Sequence, residues 1–192
     1  MNANRYADKS ISEYLNELAS NKPVPGGGSA SALVGAAGAA CLAKVVSFTI
    51  GKEKYRDVEA QMQSFSKELK TLRENFMQLC SEDAAAYQNL SGVFKIPEKP
   101  GRAEKLEKAL KEAMRVPLEI CKNASRALKL CPAVREKGNK NLISDVDCAV
   151  SMLGCAYQSA LLNVEINLKS IKDEKFAAET RKTLESIKGE IA

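Results

Sequence analysis

The stretch that most limits what this chain can fold into is PVPGGGSASALVGAAGAACLAKVV, residues 23–46. Two prolines and three glycines lead into a long run of small and apolar residues whose one charge is Lys44. A membrane span, a phosphate-binding loop and a core helix would each start from such a run. A span needs about 20 strongly apolar residues. Here most are Ala, Gly and Ser, which gain little on leaving water, and Lys44 interrupts the second half. The nucleotide fingerprints G-x-x-x-x-G-K-[ST] and G-x-G-x-x-G are both missing, and no strand-like segment precedes the glycines. Small residues at Gly28, Ala32, Ala36 and Ala40, with Gly35 and Ala39 beside them, recur at helical spacing and let a neighbouring helix approach closely. The run therefore reads as a core or subunit-interface helix over about 29–50, and no membrane contact is expected.

The glycines themselves admit two readings. They are a flexible connector, or a backbone that comes close to a ligand or a neighbouring helix, with Ser29 capping a helix whose free N–H groups face that point.

The rest of the chain reads as helix. Ala, Leu, Lys and Glu dominate, aromatics are 5% and Trp is absent, a composition that favours helices over a sandwich or barrel. Ser10 and Glu13 form a capping box before a helix at about 10–20. Val58, Met62, Phe65, Leu69, Leu72, Phe76 and Leu79 mark a long amphipathic helix. A charged helix follows from Arg102 to about Leu130, with a kink expected before Pro117. CPAVREKGNKN is expected to connect it to an apolar helix at 142–169, and a last helix spans 173–188. The fold expected is all-α: residues 1–192 as one single-domain bundle of long helices.

Charge and side-chain chemistry narrow the function. The net charge is +5, with 29 Lys and Arg interleaved among 24 Asp and Glu, so no basic footprint for nucleic acid stands out. Histidine is absent, which removes the commonest general base and metal ligand. Proton chemistry falls to carboxylates, lysines, tyrosines, thiols or water, and no metal site is expected. The six cysteines include no C-x-x-C pair and sit among apolar residues, as reduced, buried thiols in a cytoplasmic protein.

Four polar residues stand out. Asp83 follows Leu79 by four residues and so falls on the buried stripe of its helix, with Tyr87 a turn further on. It is either a working carboxylate or one satisfied by a nearby Lys or helix end. Asp145, after Ser144, sits where a helix cap belongs. Asn163 and Asn167 are one turn apart on an apolar helix, so both amides need partners. On a straight helix Asp145 and Asn163 share a face but lie about 27 Å apart. They meet opposite ends of a long ligand, serve different sites, or are brought together by a second subunit.

PVPGGGSASALVGAAGAA, VVSFTIGKEKY, SEDAAAY, KIP, VPLEI, GNKNLISDVDCAV and LLNVEINLKSIKDEKF, in this order and spacing, resemble the cyclodeaminase/cyclohydrolase family over nearly the whole chain. One departure is Lys44, where the family often carries Met. The resemblance implies an all-helical homodimer acting on one-carbon tetrahydrofolates, with no metal and no cofactor beyond the folate substrate. The activity it implies is methenyltetrahydrofolate cyclohydrolase. The alternatives are formiminotetrahydrofolate cyclodeaminase and a non-catalytic folate-binding dimer. The site it implies has Asp83, Asp145 and Lys44 as catalytic groups. Pro25, Gly26, Gly27, Gly28, Ser29, Lys52, Arg102, Ser144, Asn163 and Asn167 would bind substrate, Arg102 toward the glutamate tail.

Overall fold

The computed structural model describes residues 6–191. Among them there are six α-helices and no strand: α1 (Ile11–Leu18), α2 (Gly27–Ser47), α3 (Glu59–Phe94), α4 (Arg102–Lys137), α5 (Ile143–Leu168) and α6 (Glu174–Ile191). The capping box forms as its spacing predicts. Ser10 Oγ accepts from the Glu13 N–H, and the Glu13 carboxylate accepts from the Ser10 N–H at 2.8 Å.

Pairwise contacts fix the topology. Ser29 lies opposite Asp83 and Gly35 opposite Phe76, so α2 and α3 are antiparallel. Gly27 faces Asn163, Gly38 faces Leu153 and Lys44 faces Asp145, so α5 also runs against α2. Glu82 with Arg115, and Glu68 with Arg126, set α4 against α3. Helices α2 to α5 thus form an up-down-up-down four-helix bundle. Outside it, α6 lies along α4 in the same direction, tied by Lys111–Asp173 and Lys129–Glu190.

The small residues of α2 do what their spacing suggests. A Cβ at Gly35 would lie 2.5 Å from a ring carbon of Phe76, and one at Gly38 would lie 2.9 Å from Leu153 Cγ. Glycine is required there by proximity, because only a bare backbone lets α3 and α5 come this close. Ala32, Ala36, Ala39, Leu42, Val45 and Val46 are buried between those neighbours. By length and composition α2 would pass for a membrane span. Its inner face is nevertheless occupied by protein, and its outward row, Ala30, Val34, Ala37, Cys41 and Lys44, is half-buried or exposed.

Several boundaries differ from the sequence reading. Helix α2 starts at Gly27, with Gly26 as its N-cap, so Ser29 lies inside the first turn and does not cap it. Helix α4 does not end near Leu130. It continues through Pro117 and Pro132 to Lys137, and Gly138 closes it by donating to Val134 O at 2.8 Å. Each proline removes one backbone bond, but packing of the same helix on α3 and α5 outweighs that local cost. Tyr87 is 47% exposed, because α3 past Ala84 runs beyond the start of α2, although the same stretch still buries Leu90. The thiols also divide: Cys80, Cys121 and Cys131 are buried, Cys41 is half-buried, and Cys148 and Cys155 are exposed on the outer side of α5.

Candidate active site

Asp83 comes within reach of the start of α2 because Gly28 has no side chain. A Cβ at Gly28 would overlap both carboxylate oxygens and the carboxyl carbon of Asp83. In that space Asp83 Oδ2 accepts the Ser29 N–H at 2.9 Å. The first N–H groups of a helix have no partner within it, so Asp83 acts as a cap supplied from another helix. The helix-end reading of Asp83 is therefore realised. Only one of its oxygens is held in this way: the structure gives Oδ1 no hydrogen bond among the described residues. Burial pushes its pKa up from the ordinary aspartate value, and the Ser29 N–H pulls only partly against this.

Beneath the carboxylate is a buried polar chain. Tyr14 on α1 donates to Ser29 Oγ at 3.1 Å, and Ser29 Oγ donates to the Cys80 carbonyl at 2.9 Å. The Ser29 side chain is thus turned into the core, 0% exposed, and is not available to a ligand. Tyr14 is not among the residues singled out in the sequence. The available signal was that a tyrosine on a buried stripe needs a partner for its hydroxyl.

Asn163 completes this end of the bundle. A Cβ at Gly27 would lie 3.8 Å from its amide nitrogen, which donates to Ser159 O of its own helix at 2.8 Å. Its oxygen lies 4.0 Å from the same Cβ position. Asn167, half-buried, follows one turn later. Pro25 is buried behind the turn, Gly26 is half-buried and Gly27 is exposed at its mouth.

The other residues singled out in the sequence lie elsewhere in the subunit. Lys44 Nζ pairs with Asp145 Oδ1 at 3.0 Å at the far end of α2 and α5. Asp145 is inside the first turn of α5, and Leu142 takes the cap position without a side-chain bond, so the capping role is not observed. Ser144 and Lys52 are exposed at that same end. Four turns of α2 separate Ser29 from Lys44, about 22 Å along the axis. Arg102 is at the tip of the α3–α4 hairpin, roughly 16 Å beyond Asp83 along α3. There it donates to Phe94 O at 3.3 Å and pairs with Glu98. One subunit brings together Asp83, the glycine turn and Asn163, and it holds Lys44 with Asp145 apart from them.

A cavity of about 1440 Å³ forms a groove between the first half of α4 and the start of α6. Its charged walls are mostly paired, Lys111 with Asp173, Arg115 with Glu82 and Lys122 with Glu119. Among the described residues no group of three or more His, Cys, Asp or Glu is placed to hold a metal ion.

An all-helical bundle with a desolvated carboxylate at a glycine-lined helix start defines the class, and similarity gives the family. The model of the formiminotransferase-cyclodeaminase family matches residues 10–186, and the chain belongs to that family. It is 39% identical over 188 residues to a methenyltetrahydrofolate cyclohydrolase of Methylorubrum extorquens, covering 95% of this chain and 90% of that one. It is 28% identical to the formimidoyltransferase-cyclodeaminase of Rattus norvegicus, over 94% of this chain but only 34% of the rat protein. The crystal structure of a formiminotetrahydrofolate cyclodeaminase from Thermotoga maritima superposes with a TM-score of 0.92 at 32% identity, covering 97% of this chain and 91% of that one.

Proposed function

We propose that this chain is a methenyltetrahydrofolate cyclohydrolase, converting 5,10-methenyltetrahydrofolate and water to 10-formyltetrahydrofolate. The observation that carries this reading is the full-length similarity to a free-standing cyclohydrolase. The similarity covers nearly all of both chains, whereas this chain spans about a third of the bifunctional rat relative.

The geometry around Asp83 suits the chemistry. The bridging carbon of the substrate is an amidinium-like cation and already electrophilic. Hydrolysis then needs a placed water, a base for its proton, and a return of that proton to N5 as the C–N5 bond breaks, while the remaining hydroxyl proton leaves to solvent as the formyl C=O forms, so that one proton is released overall. Asp83 Oδ1 is the base: one oxygen is anchored on Ser29 N–H and the other is left for water. Its ionised form also favours a cationic substrate. A carboxylate whose pKa is raised toward working pH holds a proton better between the two transfers. The exposed Gly27 and the Asn163 amide flank the same spot and would seat the pterin. No metal or further cofactor enters this scheme, and the setting is the cytoplasm.

The working unit is a homodimer in which α2 packs on α2 of a second copy. The outward row Ala30, Val34, Ala37 and Cys41 is small and apolar, and its midpoint, Ala37, is exposed. A twofold crossing there would lay the partner's Lys44 and Asp145 over Asp83, about 22 Å from their own subunit's Asp83. The 27 Å between Asp145 and Asn163 would then be bridged between subunits.

A second reading, cyclodeamination of formiminotetrahydrofolate with release of ammonia, is favoured by the likeness to the Thermotoga cyclodeaminase. The test is a paired assay on one preparation. Water-dependent loss of the methenyl absorbance above the buffer rate, with little ammonia from the formimino substrate, is expected. Efficient ammonia release without faster hydrolysis would exchange the two readings. Binding of a reduced folate without either reaction would leave a binding protein.

A further inference from the structure

Ser29 grips one turn of α3 at two points. Its N–H holds Asp83 Oδ2 at 2.9 Å, and its hydroxyl holds the Cys80 carbonyl, three residues earlier, also at 2.9 Å. The hydroxyl has its own support, because Tyr14 reaches it from α1 at 3.1 Å. All three side chains, Tyr14, Ser29 and Cys80, are at most 3% exposed, so no water competes for these bonds. The hydroxyl also meets Cys80 Sγ at 3.0 Å, so Tyr14, the Cys80 carbonyl and the Cys80 thiol together hold the Ser29 side chain, and with it the residue's N–H, in place.

We infer that Tyr14 and Ser29 are positioning residues for Asp83: the hydroxyl chain Tyr14–Ser29–Cys80 locks the start of α2 onto α3, so that one oxygen of Asp83 stays tied and the other faces the reacting carbon. This rests on the reading of Asp83 as the base. Neither hydroxyl touches substrate in this arrangement. Their effect passes through the Ser29 N–H and is felt as the direction and proton affinity of the carboxylate.

Two features separate this role from plain packing. Tyr6 stacks edge-on against Tyr14 with ring centroids 5.4 Å apart, yet its own hydroxyl is buried with no hydrogen bond among the described residues. Tyr6→Phe therefore removes a comparable hydroxyl from the same aromatic pair without touching the chain, and is the internal control. Tyr14→Phe and Ser29→Ala attack the chain from its two ends, and if they act as one device their effects do not add.

The experiment measures kcat, KM and the pH profile of methenyltetrahydrofolate hydrolysis for the full chain and five variants: Tyr6→Phe, Tyr14→Phe, Ser29→Ala, the Tyr14→Phe/Ser29→Ala double and Asp83→Asn. Tyr14→Phe and Ser29→Ala should each lower kcat by about 10-fold with KM little changed, the range left when a general base is present but misaligned. Their acid limb should move to higher pH, because a loosened Ser29 N–H no longer favours the ionised carboxylate. The double variant should match the worse single one, and Tyr6→Phe should match the parent. Circular dichroism of each variant checks the fold, and Tyr14→Phe alone suffices if Ser29→Ala does not fold. An Asp83→Asn variant with full turnover would remove the base itself, and the inference with it. Loss of turnover in Asp83→Asn beside parental pH profiles for Tyr14→Phe and Ser29→Ala would overturn the inference and leave the base in place.

Discussion

At the scale of single residues, Asp83 and Gly28 form one unit. The glycine is needed because the carboxylate occupies the place of its missing side chain, not because of a left-handed backbone; the positive φ angles fall at Gly51 and Gly101 instead. Gly28→Ala should therefore push Asp83 out of place and lower turnover about 100-fold, the scale of a misplaced catalytic group. Gly27→Ala has 3.8 Å to its nearest neighbour and should fold normally. Gly27→Val, larger and at the mouth, should weaken folate binding with helical circular dichroism intact. Unchanged kinetics for Gly28→Ala would show that Asp83 is free to move without consequence. Stability gives a second test. The folded pKa of Asp83 is raised, so its contribution to stability is fully present below the ordinary aspartate pKa and is lost as pH rises through the folded value. Asp83→Asn removes that loss, and its melting temperature relative to the parent should climb as pH rises from the ordinary aspartate value of 3.8 and level off above the folded value. A difference that stayed flat across this range would place the carboxylate in water. The sequence pointed to Asp83 through its position four residues after Leu79. Nothing in it could tell that the partner was the Ser29 N–H, because a backbone donor leaves no mark in residue type.

At the scale of elements, period and caps were legible, and tertiary overrides were not. The Ser10–Glu13 box and the stripe of α3 appear where spacing puts them, since each depends on residues within a few turns. Pro132 misled because a local rule about lost backbone bonds competes with burial along a 36-residue helix. Ser29 misled in the same way: a serine near a helix start is a common cap, but here the cap is Gly26 and the hydroxyl is taken by α1 and α3. The close approach of α2 to its neighbours makes the sharpest prediction at this scale. Ala36 is 5% exposed, so Ala36→Leu should overpack the bundle and cost about 1–3 kcal/mol, read by urea denaturation. A midpoint equal to the parent's would mean that α2 has room the structure does not show.

At the scale of the whole molecule, two separated groups raise the question of what joins them. Asp83 and Asn163 are at one end of α2, and Lys44 and Asp145 at the other, an arrangement the sequence foresaw as a distance but could not place within one subunit or between two. If the site is shared across a twofold axis, Ala37→Asp should give monomers by sedimentation and abolish turnover. Refolding Asp83→Asn together with Asp145→Asn should then restore about a quarter of parental activity, because half the dimers are mixed and each mixed dimer has one intact site. No recovery on mixing would confine the site to one subunit. The measurement that bears most directly on the account is the decay of the methenyl absorbance with purified parent and with Asp83→Asn at matched concentration. The parent should hydrolyse 5,10-methenyltetrahydrofolate well above the buffer rate, and Asp83→Asn should be slower by about 10²- to 10⁴-fold with its helical circular dichroism preserved. A parent that left the buffer rate unchanged, or an Asp83→Asn variant as fast as the parent, would contradict it.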